Sequence, residues 1–379
     1  MKGHVRKRGS VWYATVDLPR PVGAARKQKQ VRLGKGTKAE AEARLREYLR
    51  PFDDGSYEPE AEMTVAELLS AWLRDIEHRI AAKTWEGYES KVRCHLTPAL
   101  GSISLKKLKP QHIVSAYAAF REKGLSSQTC THLHRILSTA LAYGVKTLRV
   151  LKQNPASSVD APRAKQREMQ PLSEDQVRLI VEAAKGTRLE VPVLTAALTG
   201  VRRGELLALK WSGIDFERGT LSVTGTVEHS RRYGVRFKPE TKTKSSRRVV
   251  PMAADLAAIL RLHREEQEGQ RRETGVAWVE NDLVFCNPDG SLWPPDTITK
   301  QFAELAATAG LAGFRLHDLR HAFASITLKN GVSVKEVSAL LGHSSSVLTL
   351  STYAHVMEGM GREAVEGLAK SLLGPAKVA

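Results

Sequence analysis

The sequence predicts a multidomain chain: a small α+β module at the N-terminus, an all-α segment, and a mainly α C-terminal region with a small β-sheet. Three observations predict it. The chain has 379 residues, 42% hydrophobic and 26% charged, a globular composition whose length divides into two or three domains. Apolar residues recur at helical spacing through 62–155 and again from Ser173 onward. Alternating apolar and polar runs are confined to the N-terminus and to the stretch around residues 221–251. This composition excludes a disordered or fibrous chain. No apolar run approaches the roughly 18–20 residues of a membrane span, and the basic Met1–Arg8 lacks the apolar segment of a secretory signal, so a cytoplasmic protein is expected. Cys94, Cys130 and Cys286 are odd in number, widely spaced and free of any CxxC pattern. They indicate neither a disulfide framework nor a structural zinc site.

The net charge is +17, and it is unevenly spread: residues 1–38 hold eleven Lys and Arg against Asp17 alone, while the other 341 residues carry +7. Such a concentration points to a polyanionic partner, with a solvated basic tail as the plainer alternative. Val11–Val16 and Gln30–Leu33 read as short strands, and Thr37–Leu49 as a helix with Ala39, Ala43 and Leu45 among charges, which favours a folded module with a basic strand face. Next, Thr64 and Glu67 form a capping box before the stripe Val65, Leu68, Leu69, Trp72, Leu73, Ile76. Further stripes follow at Ile113, Tyr117 and Phe120, and at Leu133, Ile136, Leu137, Ala140 and Leu141. Asn154-Pro155 and the polar stretch 156–170 read as a linker. Ser173 and Gln176 cap the first helix of the last domain. No internal repeat is present.

Several clusters could carry chemistry. In AALTGVRRGELLALKW (196–211), Gly200 allows a turn holding Arg202 and Arg203, and Glu205–Trp211 reads as a resumed helix. A helix start beside a guanidinium suits phosphate oxygens; an Arg merely paired with Glu205 is the alternative. Leu221–Thr224 alternates, and KPETKTKSSRRVVP (238–251) sets Lys242 and Lys244 in a turn before the strand Val249-Val250. These lysines are either solvated or reach into a groove to touch a base or give up a proton. In RLHDLRHAFASI (315–326), His317 and Arg320 share a helix face, with Leu316, Leu319, Phe323 and Ile326 on the buried side. His317 and His321 could instead hold zinc, but HDLRH lacks the HExxH glutamate and sets an arginine between the ligands. Val334–Leu341 is an amphipathic helix ended by Gly342, with His343 next and Tyr353 ten residues on. Tyr353 could be a core residue, and 334–353 could pass for a helix-turn-helix reader of the major groove.

In this order TGVRRGE, KTKSSRR with a closing Val-Pro, HDLRH, and LGHSS followed by STYAHV resemble the tyrosine recombinase family, specifically phage-type integrases with an N-terminal arm-binding domain. The resemblance covers essentially the whole chain. It implies a small α+β arm domain (three-stranded sheet plus helix) at 1–58, an all-α core-binding domain at 62–160, and a mainly α catalytic domain with a small β-sheet at 168–379. It implies an active site of Arg202, Lys242, His317, Arg320, His343 and the nucleophile Tyr353. Lys242 is preferred over Lys244 because it fills the first position of the Lys-Thr pair. The chemistry fits: a tyrosine ester conserves the energy of the broken phosphodiester, Arg202 and Arg320 suit a phosphorane-like transition state, and His343 adds a hydrogen bond. His317 is expected to help form the phenolate, Lys242 to protonate the leaving oxygen, and Glu205 to orient an arginine. No metal or cofactor is implied. Arg6, Lys7, Arg8, Arg26, Lys27, Lys29, Arg32 and Lys244 are expected DNA contacts. The implied partners are double-stranded DNA at core and arm sites, three further protomers in a tetramer on DNA, a host DNA-bending protein and a directionality factor; the implied place is a bacterial cytoplasm, at the nucleoid. The tail after Met357 is expected to dock on a neighbouring protomer. A relaxing topoisomerase of the same chemistry and a non-catalytic DNA-binding regulator are the alternatives.

Overall fold

The structure, a computed structural model, describes residues 3–17, 28–53, 63–162, 172–239, 247–353, 368 and 371–372. The chain divides into two compact units, Met1–Arg74 with Lys91–Arg163, and Asp75–Ser90 with Ala164–Ala379.

In the first unit, β1 (Gly3–Arg8), β2 (Val11–Asp17) and β3 (Gln28–Gly34) form an antiparallel sheet in sequence order, and α1 (Lys38–Asp53) packs on it. One sheet face, carrying Ala14, Val16 and Leu33, buries Ala41, Leu45 and Leu49 of the helix. The strand period of two turns the next residues outward. Arg6 and Arg32 thus lie on either side of Tyr13 in one cross-strand row. Thr37 starts α1 with a capping box to Glu40.

The helical part of this unit holds α2 (Val65–Ile76), followed by α3 (Ala82–Lys91), most of which belongs to the second unit, then α4 (Thr97–Leu100), α5 (Pro110–Glu122) and α6 (Ser127–Lys146). The expected box at Thr64 forms: Thr64 N–H donates to Glu67 Oε2 at 2.7 Å, and Glu67 N–H donates to Thr64 Oγ1 at 3.3 Å. The expected stripes are buried, with Leu68, Leu69, Ile113, Leu133, Leu137 and Leu141 fully inside.

The second unit continues with α7 (Glu174–Ala184), α8 (Glu190–Thr199) and the single turn α9 (Arg203–Leu206). Strands β4 (Ile214–Asp215), β5 (Thr220–Val223), β6 (Gly225–Ser230), β7 (Gly234–Pro239) and β8 (Arg248–Pro251) follow. They pair as an antiparallel β4-β5-β8 sheet and a β6-β7 hairpin. Helices α10 (Ala254–Thr274), α11 (Pro295–Thr308), α12 (Leu316–Lys329), α13 (Val334–Leu341) and α14 (Ser346–Tyr353) complete it. The main core joins Val193, Leu206, Leu221, Val250, Leu256, Phe302 and Leu319.

One local expectation fails. Glu205–Trp211 is not a helix: α9 stops at Leu206, and Lys210 bridges to Leu283 as a strand does. Val284 N–H donates to Leu209 O at 2.8 Å and Trp211 N–H to Asp282 O at 2.9 Å. Pairing with a segment some seventy residues away thus overrides a helix-favouring run of Leu and Ala, whose propensity is only a weak prior.

Candidate active site

The end of α13 organises the site. Gly342 takes the left-handed conformation, φ 64° and ψ 44°, which glycine adopts without steric cost. His343 N–H then donates back to Ser338 O, and Gly342 N–H to Ala339 O, each at 3.0 Å. This cap uses the carbonyls of residues 338 and 339 and leaves the next three free, at the negative end of the helix dipole. Each of the three receives a different arginine. Arg248 Nε donates to Leu340 O at 2.6 Å, Arg320 Nη2 to Leu341 O at 2.6 Å, and Arg202 Nη2 to Gly342 O at 3.2 Å.

The guanidiniums come from three elements. Arg202 precedes α9, where Glu205 reaches back to its backbone N–H at 2.8 Å and to its Nη1 at 2.6 Å. Arg248 opens β8 and grips the same carboxylate with both Nη atoms, at 2.7 and 3.2 Å. Arg320 rises from α12, 3% exposed, and Nη1 donates to Gly200 O at 2.7 Å. Gly200 makes this possible by ending α8 at φ 63°; a Cβ there would collide with the Phe323 ring. Glu205 is buried, which pushes its carboxyl up, but the hydrogen bond and charge of Arg248 and then those of Arg202 outweigh this and hold it down at about 2. Arg320 is pushed down to about 9 by burial and then by the charge of Arg202. Among the described residues its hydrogen-bond partners are two main-chain carbonyls and no carboxylate. Arg202 and Arg248 share the Glu205 carboxylate and Arg320 adds a third guanidinium beside them, so the cluster carries excess positive charge, and an entering anion would relieve it.

The histidines and the tyrosine lie beside this cluster. His343 Nδ1 is 2.7 Å from Thr349 Oγ1, and burial followed by the charges of Arg320, Arg202 and Arg248 lowers its pKa to about 4. His317 stands edge-on to His321, ring centroids 4.9 Å apart. It keeps an exposed edge, yet desolvation, then His321 and Arg320, lower it to about 4. Tyr353 is 1% exposed and packs with Ala324, Leu328, Val337 and Leu341. Its hydroxyl lies 2.7 Å from His321 Nδ1. Burial raises the phenol to about 12, with Arg320 acting in the opposite sense.

The structure therefore brings Arg202, Glu205, His317, Arg320, His343 and Tyr353 into one cluster. Lys242 and Lys244 lie outside the described residues, as do Arg26 and Lys27. Arg6, Lys7, Arg8, Lys29 and Arg32 are exposed on the N-terminal sheet. Three residues join the site that sequence reasoning left out of it. His321 closes the HDLRH motif, whose pattern marks it only as an alternative zinc ligand; Arg248 stands six residues after Lys242; nothing in the sequence marks Thr349.

Comparison with known proteins identifies the family of the chain. The family model "Phage integrase family" matches residues 170–359, and "Phage integrase, N-terminal SAM-like domain" matches residues 64–118. The chain is 31% identical to a tyrosine recombinase XerC-like protein of Caldanaerobacter subterraneus subsp. tengcongensis, over 88% of this chain and 89% of that one. It is 29% identical to an integrase of Streptomyces ambofaciens, over 90% and 88%. Among solved structures, the Tn1549 transposon integrase in complex with a circular intermediate DNA is similar at a TM-score of 0.69 and 22% identity, covering 81% of this chain and 100% of that one. A lambda integrase dimer bound to a core site is similar at 0.57 and 18%, covering 92% and 94%. The chain thus belongs to the phage integrase family of tyrosine recombinases, enzymes that cleave and rejoin DNA.

Proposed function

We propose that the chain is a site-specific integrase that cuts and reseals duplex DNA through a 3′-phosphotyrosyl intermediate, moving a mobile element into and out of a bacterial chromosome. The observation that carries this reading is Arg320, a buried guanidinium held by two carbonyls beside Arg202, with the Tyr353 phenol close enough for its charge to be felt. A phosphodiester entering there meets fixed cations, and those cations stabilise the charge that grows on the non-bridging oxygens as the phosphorane forms.

In the reaction, Tyr353 attacks the scissile phosphorus and the 5′-oxygen leaves. The reverse step, with a 5′-hydroxyl of another strand, restores the phosphodiester and frees the tyrosine. Arg202 and Arg320 bind the non-bridging oxygens and His343 adds a hydrogen bond. A neutral His321, its proton on Nε2, accepts from the phenol at Nδ1, which makes it the immediate acceptor for the Tyr353 proton; His317, against its ring, keeps that imidazole oriented. Lys242 protonates the leaving oxygen and Lys244 contacts DNA. Glu205 fixes Arg202.

The domain assignment follows the same reading: residues 1–58 bind arm sites, 62–160 bind the core site and 168–379 catalyse. The row in which exposed Arg6 and Arg32 flank the half-buried Tyr13 supports the first of these, since cations around an aromatic ring suit a sugar-phosphate backbone. Exchange between two duplexes implies four protomers on DNA, with a host bending protein and a directionality factor as further partners, in the bacterial cytoplasm. Among the described residues no helix is long and apolar enough to cross a membrane.

The test is a nicked suicide duplex carrying the attachment sequence, to be identified by sequencing the DNA that flanks the gene for short repeats. The full-length chain is expected to form an adduct that survives SDS, and Tyr353→Phe to form none while binding the duplex with unchanged affinity. An adduct with Tyr353→Phe would place the nucleophile elsewhere.

A further inference from the structure

Arg248 has no part in the chemistry above, yet its side chain is 7% exposed where that of Arg202 is 40% exposed. Its Nε, Nη1 and Nη2 are all engaged within the protein, on Leu340 O and on both oxygens of Glu205. It is therefore turned inward, away from any phosphate. Gly342 is packed against it so closely that a Cβ there would stand 2.9 Å from Nη1.

We propose that Arg248 is a positioning residue for strand cleavage: it takes up the charge of Glu205, so that Glu205 can hold Arg202 in place without cancelling it. The reasoning is electrostatic. A buried carboxylate paired with Arg202 alone would give a neutral pair, and the phosphorane would meet little net charge on that side. With Arg248 present, the neutral pair is Arg248–Glu205, joined by two parallel bonds of the strong fork type. Glu205 still has one Oε1 contact for the Arg202 guanidinium and one Oε2 contact for its backbone N–H. Arg202 is then both oriented and fully cationic. The Leu340 bond adds a second effect, tying the start of β8 to the same helix end that holds Arg202 and Arg320.

This inference rests on the recombinase reading and is tested on the same duplex with the full-length chain, by the single-turnover rate of adduct formation at saturating DNA. Arg248→Gln is expected to cut that rate by about 30-fold or more while the half-saturating DNA concentration stays within about threefold, the pattern of a group acting only in the transition state. Glu205→Gln/Arg248→Gln should be no slower than Glu205→Gln, because the two act as one unit, and Arg248→Lys should recover part of the loss. The pH profile is a readout that loss of folding would not reproduce. Arg248 supplies the foremost influence holding the Glu205 carboxyl down, so in Arg248→Gln that carboxyl protonates at a higher pH. Cleavage by the variant then recovers part of its loss on mild acidification that leaves the wild type unaffected, because a protonated Glu205 no longer cancels the charge of Arg202. Where Arg248→Gln melts below the assay temperature, Arg248→Lys with and without Glu205→Gln decides by the same criterion. A rate within about threefold of wild type, or defects that multiply in the double variant, overturns the proposal. No adduct with the wild-type chain would instead overturn the recombinase reading, and this inference with it.

Discussion

The arginine side and the tyrosine side of the catalytic unit are built differently. On the arginine side, three guanidiniums end on three consecutive main-chain carbonyls and one buried carboxylate. On the tyrosine side, Tyr353, the proposed nucleophile, is placed among the described residues by one side-chain hydrogen bond to His321 and by packing in a small apolar cluster. The groups proposed to stabilise charge are thus fixed by backbone before DNA arrives, and such preorganisation is where most of an electrostatic effect on rate originates. The tyrosine proposed to make and break bonds is held by a contact that costs little to exchange, about 1 kcal/mol for a net hydrogen bond. A reaction in which one tyrosine must attack, remain esterified and be released suits that division.

Damage to the two sides should therefore have unequal effects. The largest is expected for Arg320→Gln, which strips the enclosure of its buried cation: adduct formation should fall by about 10³-fold or more, measured as the single-turnover rate on the suicide duplex. A loss under tenfold would mean that the carbonyl-held arginine is structural. Next, Gly342→Ala should slow cleavage by about tenfold and lower stability by about 1 kcal/mol, because alanine is strained at positive φ and its methyl presses on Arg248; thermal melts and the same rate assay separate the two effects. His321→Leu, confined to the tyrosine side, should slow adduct formation by about tenfold or less and leave DNA affinity in a gel shift unchanged. If it proved as damaging as Arg320→Gln, the contrast between the two sides would fail.

The smallest effect is one of pH on stability. The Glu205 carboxyl is lower in the folded chain, at about 2, than its ordinary 4.5. The unfolded chain therefore takes up this proton first on acidification, and the contribution is fully present above about 4.5 and lost as pH falls toward 2. Denaturant melts across that window should show a decline that Glu205→Gln lacks. His343, lowered from 6.5 to about 4, adds a shallower decline between those values, for the same reason of sign.

Much of this architecture was legible from residues alone. The boxes at Thr64 and Ser173 form as read, because capping is a local matter of one hydroxyl, one carboxylate or amide and a few unsatisfied N–H groups. Gly342 ends α13 as its position after a striped helix implied. Long-range pairing was not legible: the Leu-rich stretch after Glu205 is pulled into a bridge with Leu283. The Glu205–Arg248 pair joins residues 43 positions apart, and no spacing rule connects them. Nor could the motif HDLRH say which histidine meets the phenol. That depends on how α12 is rotated, and its rotation is set by burial of Leu316, Leu319, Ala322 and Arg320 itself. Strand β1 carries only Val5 as a large apolar residue among its charges, so its alternation was invisible, and its strand character comes from pairing with β2.

The hooks at the end of α13 consist of peptide oxygens, so no side-chain replacement can delete them. The tolerance of this segment to change should depend on length more than on chemistry. Exposed positions such as Lys335 and Ala339 can vary without moving a single acceptor. One residue inserted between Val334 and Leu341 would instead turn the terminus through about 100° and unhook all three arginines together.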